Sequence, residues 1–347
     1  MRKNKAITMN SYATASLVMV FGARVLAAQS GITVIGSGYI NPSTVVIAPG
    51  QITTIFLSGV KSTWSLLSPY PTASGLPLPT TLAGFSVTLR QFKNVDPIPV
   101  PILSAMPLTG GCPGVDLNVP VSAPCLRVGL TIQVPTGLSL PLPFSTPDGN
   151  RLQELVVSEN GVPGPAVRFS LIPDNIHVVT NCEPIQSPLD SDCQGYVTHA
   201  NGTLVQGTNP AQPGETLVLY AFGLGGTAPT VPAGRAAPLP PANLASPLQV
   251  AFNFTPGAAP AWPGPSSATL VRDLAAFAGL APNYAGLYQV NFKVPAPPPG
   301  TPACLTSNVQ SNVTITLVGD YTYDGAHFCV QTSQAAPTQA DQVRLAH

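Results

Sequence analysis

The sequence predicts an all-β fold made of two tandem β-sandwich domains. Two observations carry this prediction. Short apolar runs rich in β-branched residues follow one another along the chain, and three landmarks occur twice in the same order. Proline (41 residues) and glycine (31 residues) separate the runs, as turn residues do between the strands of a sandwich.

The repeated landmarks indicate a duplicated structural unit. Residues 48–59, APGQITTIFLSG, return as residues 212–223, QPGETLVLYAFG, at an offset of 164. The PLP of residues 77–79 returns at 238–240, and the TIQVP of 131–135 returns as NFKVP at 291–295, at offsets of 161 and 160. Nearly constant spacing over three landmarks is typical of an internal repeat.

The strands are predicted from alternating or β-branched runs. They are Ile32–Ile35, Thr44–Ile47, Ile52–Leu57, Phe85–Leu89, Leu130–Val134, Leu155–Val157, Val167–Leu171, Thr216–Tyr220, Leu248–Phe254, Tyr288–Val294 and Val313–Val318.

Two further local structures are predicted. Asn201-Gly202 lies between two apolar runs and predicts a type I′ hairpin, with His199 as an exposed loop residue beside it. The helical spacing of apolar residues in Thr269–Leu280 predicts a single short helix.

Five segments are expected along the chain. They are a signal peptide (1–28), a first sandwich domain (29–172), a connector that carries two cysteines (173–197), a second sandwich domain (198–318) and a tail (319–347). The signal peptide is predicted from Arg2, Lys3 and Lys5, the apolar run 13–23 and the small residues before a cleavage point at Ala27 or Ala28. An uncleaved anchor is the alternative, although the run is about half the length of a membrane helix.

The charge balance excludes nucleic acid as a partner. The whole chain has 14 basic and 14 acidic residues, and cleavage would leave ten basic residues and a net charge of −4. Binding to nucleic acid relies on a basic surface that neutralises phosphates.

Six cysteines in an exported chain predict disulfides. We expect Cys112–Cys125, Cys182–Cys193 and Cys304–Cys329, because each pair closes a short, turn-rich segment. Free buried thiols are the alternative. A zinc site is disfavoured, because no pair has CxxC spacing and no histidine lies among the cysteines at ligand spacing.

The sequence offers no catalytic motif, and no catalytic residue, cofactor or metal site is predicted. GxSxG, Ser-x-x-Lys and HExxH are absent. Asp190 with Asp192, and Asp320 with Asp324, could each give two oxygen ligands to calcium, but calcium needs six to eight ligands and an EF-hand pattern is missing. They are interpreted as solvated turn residues, and the glutamates Glu154 and Glu159 as surface residues.

Trp64 and Trp262 are the two tryptophans, in loop-like regions at roughly corresponding places of the two repeats. Burial at the end of each sandwich is the favoured interpretation, because tryptophan buries a large area. Stacking on sugar rings is the alternative, and the exposure of the two rings distinguishes them.

Five ordered segments resemble a known family. They are PLPTTLAGFSVTL, TIQVPTG, LVVSENGVPGPAV, HANGTLVQGTNPAQPGETLVLYAFGLG and FAGLAPNYAGLYQVNFKVP. In this order they resemble the uncharacterised, Solibacter-type C-terminal domain of secreted acidobacterial proteins, over about residues 76–318. The resemblance implies export, two tandem immunoglobulin-like (TIG-type) β-sandwich domains, no catalytic residue, and strand and loop rather than helix at residues 277–280. The Cys112–Cys125 stretch and the tail with Cys329 depart from the family pattern.

The sequence therefore predicts a secreted, extracellular or periplasmic protein that is not an enzyme. Its expected role is structural or adhesive, at the cell envelope or in the extracellular matrix, with an unidentified protein or glycan at the cell surface as partner. A carbohydrate-binding or accessory module for extracellular polysaccharide is the alternative.

Overall fold

The computed structural model describes residues 31–39, 42–60, 70–92, 95–108, 127–140, 151–181, 194–262, 270–304, 311–319 and 322–332. Every regular element in these ranges is a β-strand, and antiparallel pairing dominates. The all-β prediction is confirmed, and the sheets are consistent with a β-sandwich. Across these ranges there is no helix of the length and apolar character that crossing a membrane requires.

The strands before residue 173 form two main sheets and one short parallel pair. One sheet has the order β1-β3-β8-β7, and the other has the order β10-β9-β5-β4 with β6 and β11 at its sides. The strands are β1 (Thr33–Gly38), β2 (Val46–Ile47), β3 (Ile52–Ser58), β4 (Thr81–Leu82), β5 (Phe85–Phe92), β6 (Ile98–Pro99), β7 (Ile102–Leu108), β8 (Arg127–Gln133), β9 (Arg151–Glu159), β10 (Val162–Pro163), β11 (Val167–Arg168) and β12 (Ser170–Leu171).

The strands after residue 176 form two further sheets. One has the order β13-β15-β21-β20-β17-β16 with β14 on β15, and the other has the order β19-β18-β22-β23. The strands are β13 (His177–Val178), β14 (Val197–His199), β15 (Thr216–Phe222), β16 (Thr227–Ala228), β17 (Asn243–Leu244), β18 (Leu248–Asn253), β19 (Val271–Leu274), β20 (Phe277–Leu280), β21 (Tyr288–Lys293), β22 (Ser311–Leu317) and β23 (Tyr323–Phe328).

Two hydrophobic cores accompany these two sets of sheets. The buried residues of the first core lie between Ile32 and Leu171, and those of the second lie between Ile176 and Val330. We call the two parts of the chain the first half and the second half. Strand β13 falls in the range predicted as connector and β23 in the range predicted as tail, and both contribute strands to the sheets of the second half.

The recurring sequence coincides with recurring hydrogen bonds. In the first half the N–H of Gly50 donates to the carbonyl of Val134, and in the second half the N–H of Gly214 donates to the carbonyl of Val294, at 3.0 and 2.7 Å. Both glycines have positive φ, +77° and +84°, as their place in Pro-Gly turns predicts. The strands that follow the two turns pair antiparallel with β8 and β21 respectively.

The predicted helix Thr269–Leu280 is wrong. Residues 271–274 and 277–280 form β19 and β20 instead, and β20 pairs with β21. The apolar spacing in this segment fits either structure, and pairing of Phe277 with Asn291 in the sheet decides between them.

The predicted type I′ hairpin at Asn201-Gly202 is also wrong. Gly202 has positive φ but Asn201 does not, whereas a type I′ turn needs both. The N–H of Gly202 donates to the carbonyl of His199, so the loop is a three-residue connection that ends on a left-handed glycine. Positive φ at two successive residues occurs instead at Ala83-Gly84, between β4 and β5, and at Asn160-Gly161, between β9 and β10.

Candidate functional site at the junction of the two cores

Tyr39 extends from the first half onto the second half. Its ring stacks on the imidazole of His177, with centroids 3.6 Å apart and planes 16° apart, and it lies parallel to Phe222 at 6.1 Å. His177 and Phe222 are opposite each other in the pairing of β13 with β15. The tyrosine therefore lies across a two-strand platform of the other half.

The hydroxyl of Tyr39 is fixed by the turn that precedes β3. It donates to the carbonyl of Ile52 at 2.8 Å and accepts a hydrogen bond from Nε2 of Gln51 at 2.9 Å. Because both ends of the side chain have defined partners, the aromatic stack between the halves is held in one geometry.

His177 is held from behind by Asp324. Its Nδ1 lies 3.2 Å from Oδ2 of the carboxylate, and the N–H of Val178 donates to the same oxygen at 2.8 Å. The N–H of Gly325 donates to the other oxygen. The Asp324 carboxylate thus binds backbone amides, which differs from the solvated turn residue that the sequence predicted.

Gln133 links the two halves by a buried hydrogen bond. The side chain is only 4% exposed, and its Oε1 accepts the N–H of Gly234 at 2.6 Å. The carbonyl of Gly234 in turn accepts the N–H of Leu78 at 2.8 Å. A Cβ added to Gly286 would lie 2.7 Å from Nε2 of Gln133, so the Gln133 side chain packs directly against the backbone of this glycine.

A cleft of about 360 Å³ lies beside this junction. Its floor is the outer face of β3, β8 and β7, and its opposite side includes Tyr39, Val179 and Phe222. Among the described residues that line it, no side chain is charged at neutral pH. We call it the junction cleft. A second, more open cleft shares Ile52, Leu103 and Phe222 with it and continues toward Tyr284.

His199 is not the exposed loop residue that the sequence predicted. It ends β14, its side chain is 12% exposed, and its Nδ1 lies 2.6 Å from Oε1 of Glu215. Its Nε2 lies 3.2 Å from the carbonyl of Asn209. Both ring nitrogens therefore lie beside oxygen atoms of neighbouring residues.

The environment of Glu215 lowers the pKa of its carboxyl group. Burial raises that pKa, but the hydrogen bond from the N–H of Gln212, the hydrogen bond with His199 and the charge of His199 together outweigh the effect of burial. The second carboxylate oxygen accepts the Gln212 N–H at 2.9 Å. This pair fixes β14 against the turn before β15, so its role is structural.

Of the two glutamates predicted to be surface residues, Glu154 and Glu159, one is buried. Glu159 is 5% exposed at the end of β9, so the interpretation of this residue as a surface group is wrong, while Glu154 is half-buried. In the part of the chain that the structure describes, no group of three or more His, Cys, Asp or Glu side chains is arranged to hold a metal ion. Asp190, Asp192 and Asp320 lie outside the described residues.

The predicted disulfide Cys304–Cys329 is formed, with the Cα atoms 5.6 Å apart. Cys112, Cys125, Cys182 and Cys193 lie outside the described residues, as does Trp64. Trp262 is 40% exposed, so the favoured interpretation of a buried ring is wrong for this tryptophan.

The sequence analysis missed Tyr39, Gln133 and the junction cleft. One signal was present: the run Ile52–Leu57 is apolar or β-branched at every position, without the polar alternation of a strand that has one wet face. In the structure all six residues are buried, and only Ile55 and Leu57 belong to the first core with their side chains. Burial of the opposite face is what the missing alternation indicates.

Comparison with known proteins adds no identity. No family model matches the chain, and no curated protein matches it at a significant level.

Proposed function

We propose that this is a secreted, non-enzymatic structural or adhesive protein of the cell envelope or extracellular matrix, built from two tandem immunoglobulin-like sandwiches. The duplicated landmarks and the matched pairing of β3 with β8 and of β15 with β21 support the tandem arrangement. The basic and apolar N-terminal residues and the Cys304–Cys329 disulfide support export.

The observation that carries the proposal is the fixed junction between the halves. Flexible attachment is the default for two domains joined in one chain. Here Gln133 is buried and bonded to Gly234, and Tyr39 is stacked on His177 and bonded at its hydroxyl. A protein that bears or transmits force between surfaces benefits from a fixed angle between its parts, because a rigid spacer loses less entropy when its ends are held.

The histidines that bind carboxylates support the same role. His177 binds Asp324 and His199 binds Glu215, and in each pair the carboxylate also accepts a backbone N–H. These contacts hold neighbouring elements of the second half together, so they stabilise the fold.

A carbohydrate-binding role is the second candidate, and the exposure of Trp262 favours it. The ring is 40% exposed in a segment without regular structure, where a sugar face can reach it.

Two measurements test these proposals. Cell fractionation with an antibody should find the processed chain in the envelope or matrix fraction, and accumulation in the cytoplasm would contradict the proposal. A glycan array, with and without calcium, should give no saturable binding if the role is structural. Saturable binding that Trp262→Ala abolishes and Tyr284→Ala preserves would replace the structural role with the carbohydrate-binding one.

A further inference from the structure

We propose that the junction cleft is a binding site for a small, uncharged molecule with an apolar body and a hydroxyl group along one edge. This inference goes beyond the structural role, since a structural protein needs no ligand. It rests on the shape of the cleft, the absence of charge in its lining, and a row of hydroxyl side chains on its floor.

The cleft has the size and position of a ligand site. Its volume of about 360 Å³ lies within the range of roughly 300–1,000 Å³ usual for small-molecule sites. It lies where the two cores meet, which is a preferred place for such sites. Thr54 and Ser104 line the cleft and are only 6% and 7% exposed, which is too little for contact with the surface of a macromolecule.

The lining selects against charge. Ile52, Leu103, Val179 and Phe222 supply apolar surface. The lining residues that the structure describes include no ionised group that could pair with a ligand charge at neutral pH, and a charged ligand would lose its hydration without compensation from them. The ligand is therefore uncharged and mainly apolar.

A row of hydroxyl side chains crosses the floor of the cleft. Thr54, Thr131 and Ser104 are opposite one another in the pairing of β3, β8 and β7, and a β-bridge from Ser104 adds Thr72. Residues directly opposite each other share one face of a sheet. The row therefore forms a polar stripe through an apolar cleft.

The stripe keeps hydrogen-bonding capacity for a ligand. Oγ1 of Thr54 and Oγ1 of Thr131 lie 3.2 Å apart, so one hydroxyl donates to the other. The hydroxyl that accepts keeps its own proton, and both oxygens keep acceptor capacity. A ligand hydroxyl placed above this pair can both donate and accept.

The fold itself does not require this row. The equivalent positions in the second half are Val218, Asn291 and Phe277, which are opposite one another in β15, β21 and β20. No Ser or Thr occurs among them. Because the same architecture forms without hydroxyls there, the row in the first half is a local feature of the cleft.

Naphthol and naphthalene test the site, because they share one apolar body and differ by a hydroxyl. Binding to the full, disulfide-bonded chain is followed by fluorescence at neutral pH, where naphthol is uncharged. We expect saturable binding of both at one site per chain, with naphthol the tighter by about fivefold, which is the effect of one hydrogen bond. No saturable binding of either would overturn the proposal.

Three variants locate the binding. Leu103→Trp fills the cleft and should abolish binding of both probes, whereas Leu274→Trp adds the same ring at an exposed position of β19 and should leave it unchanged. Thr131→Val removes a hydroxyl with little change in shape, and should reduce the affinity for naphthol to that for naphthalene. Thermal unfolding verifies that each variant is folded. Equal binding of the probes by the parent and by folded Leu103→Trp would show that they bind outside the junction cleft. An unchanged preference for naphthol in Thr131→Val would show that the hydroxyl row does not contact the ligand.

Discussion

Gln51 and Glu215 accept the same hydrogen bond in two turns that are 164 residues apart. The side-chain oxygen of Gln51 accepts the N–H of Ala48 at 2.8 Å, and that of Glu215 accepts the N–H of Gln212 at 2.9 Å. An amide and a carboxylate both provide a suitable acceptor. The turn therefore constrains the acceptor and leaves the second polar atom of the side chain free to vary. Nε2 of Gln51 donates to the hydroxyl of Tyr39 in the first half, and Oε1 of Glu215 binds His199 in the second half.

A side chain added to the glycine of either Pro-Gly turn should lower the stability of the chain. Gly214→Ala should lower the free energy of unfolding by about 1 kcal/mol, because alanine is strained at φ +84° while nothing lies within 4 Å of the added Cβ. Gly50→Ala should cost more, because its Cβ would also lie 3.3 Å from Cγ2 of Thr136. Urea unfolding measures both. Gly137→Ala is the control, since its surroundings are open and its φ is not positive, and a loss there equal to that at Gly214 would contradict the argument.

Glu215 predicts a pH dependence of stability. Its carboxyl group has a lower pKa in the folded chain than in the unfolded chain. The stabilisation is therefore complete above the unfolded pKa and is lost as the pH falls through the lowered, folded pKa. Glu215→Gln keeps an acceptor for the Gln212 N–H and removes the charge. It should destabilise the chain at neutral pH, and the difference from the parent should disappear in acid.

His199→Gln and the double variant complete that experiment. If the charge acts through His199, Glu215→Gln should cost much less when His199 is already replaced. An equal loss of unfolding free energy from Glu215→Gln in the parent and in His199→Gln would show that the carboxylate acts through the turn alone.

The disulfide Cys304–Cys329 predicts a stabilisation of the second half. It closes a loop with a sequence separation of 25 residues. Replacing both cysteines with serine should lower the free energy of unfolding by about 3 kcal/mol in the chain-entropy model. Urea unfolding of the parent and of the double serine variant, both without a reductant, measures this difference. Peptide mapping that pairs Cys329 with any other cysteine would refute the assignment.

Truncation of the Gln133 side chain should destabilise the fold. Gln133→Ala leaves the buried N–H of Gly234 without its acceptor, which should cost about 1–3 kcal/mol. Gln249→Ala removes the same atoms from a half-buried position on β18 and should cost less. Because the lost bond joins the halves, unfolding of Gln133→Ala should also become less cooperative, and a single sharp transition at parental stability would argue against a fixed junction.

The strands and the paired turns were predictable because their causes are local. Pro49-Gly50 and Pro213-Gly214 specify a turn, and the β-branched runs after them specify a strand. All of the predicted strand runs overlap observed strands. The segment 269–280 failed because its apolar spacing is ambiguous, and a long-range partner on β21 decides its structure.

The junction was not predictable because its contacts are distant in sequence. Tyr39 and His177 are 138 positions apart in the sequence, and Gln133 and Gly234 are 101 positions apart. Neither pair has a local pattern. The interpretation of His199 as an exposed residue failed for a similar reason, since the acceptor beside it is supplied by Glu215, in the turn before β15.

The burial of β3 on both faces has a consequence for synthesis. The equivalent strand, β15, alternates between buried and half-buried residues, so only one of its faces depends on cover. Ile52 at the start of β3 packs against the Gly286 segment, which the ribosome adds more than two hundred residues later. The outer face of β3 therefore stays exposed to solvent during translation until the second half has been synthesised and has folded against it. Holding chaperones that act during translation protect such surfaces, and this chain should depend on them most between the completion of β12 and the arrival of β21.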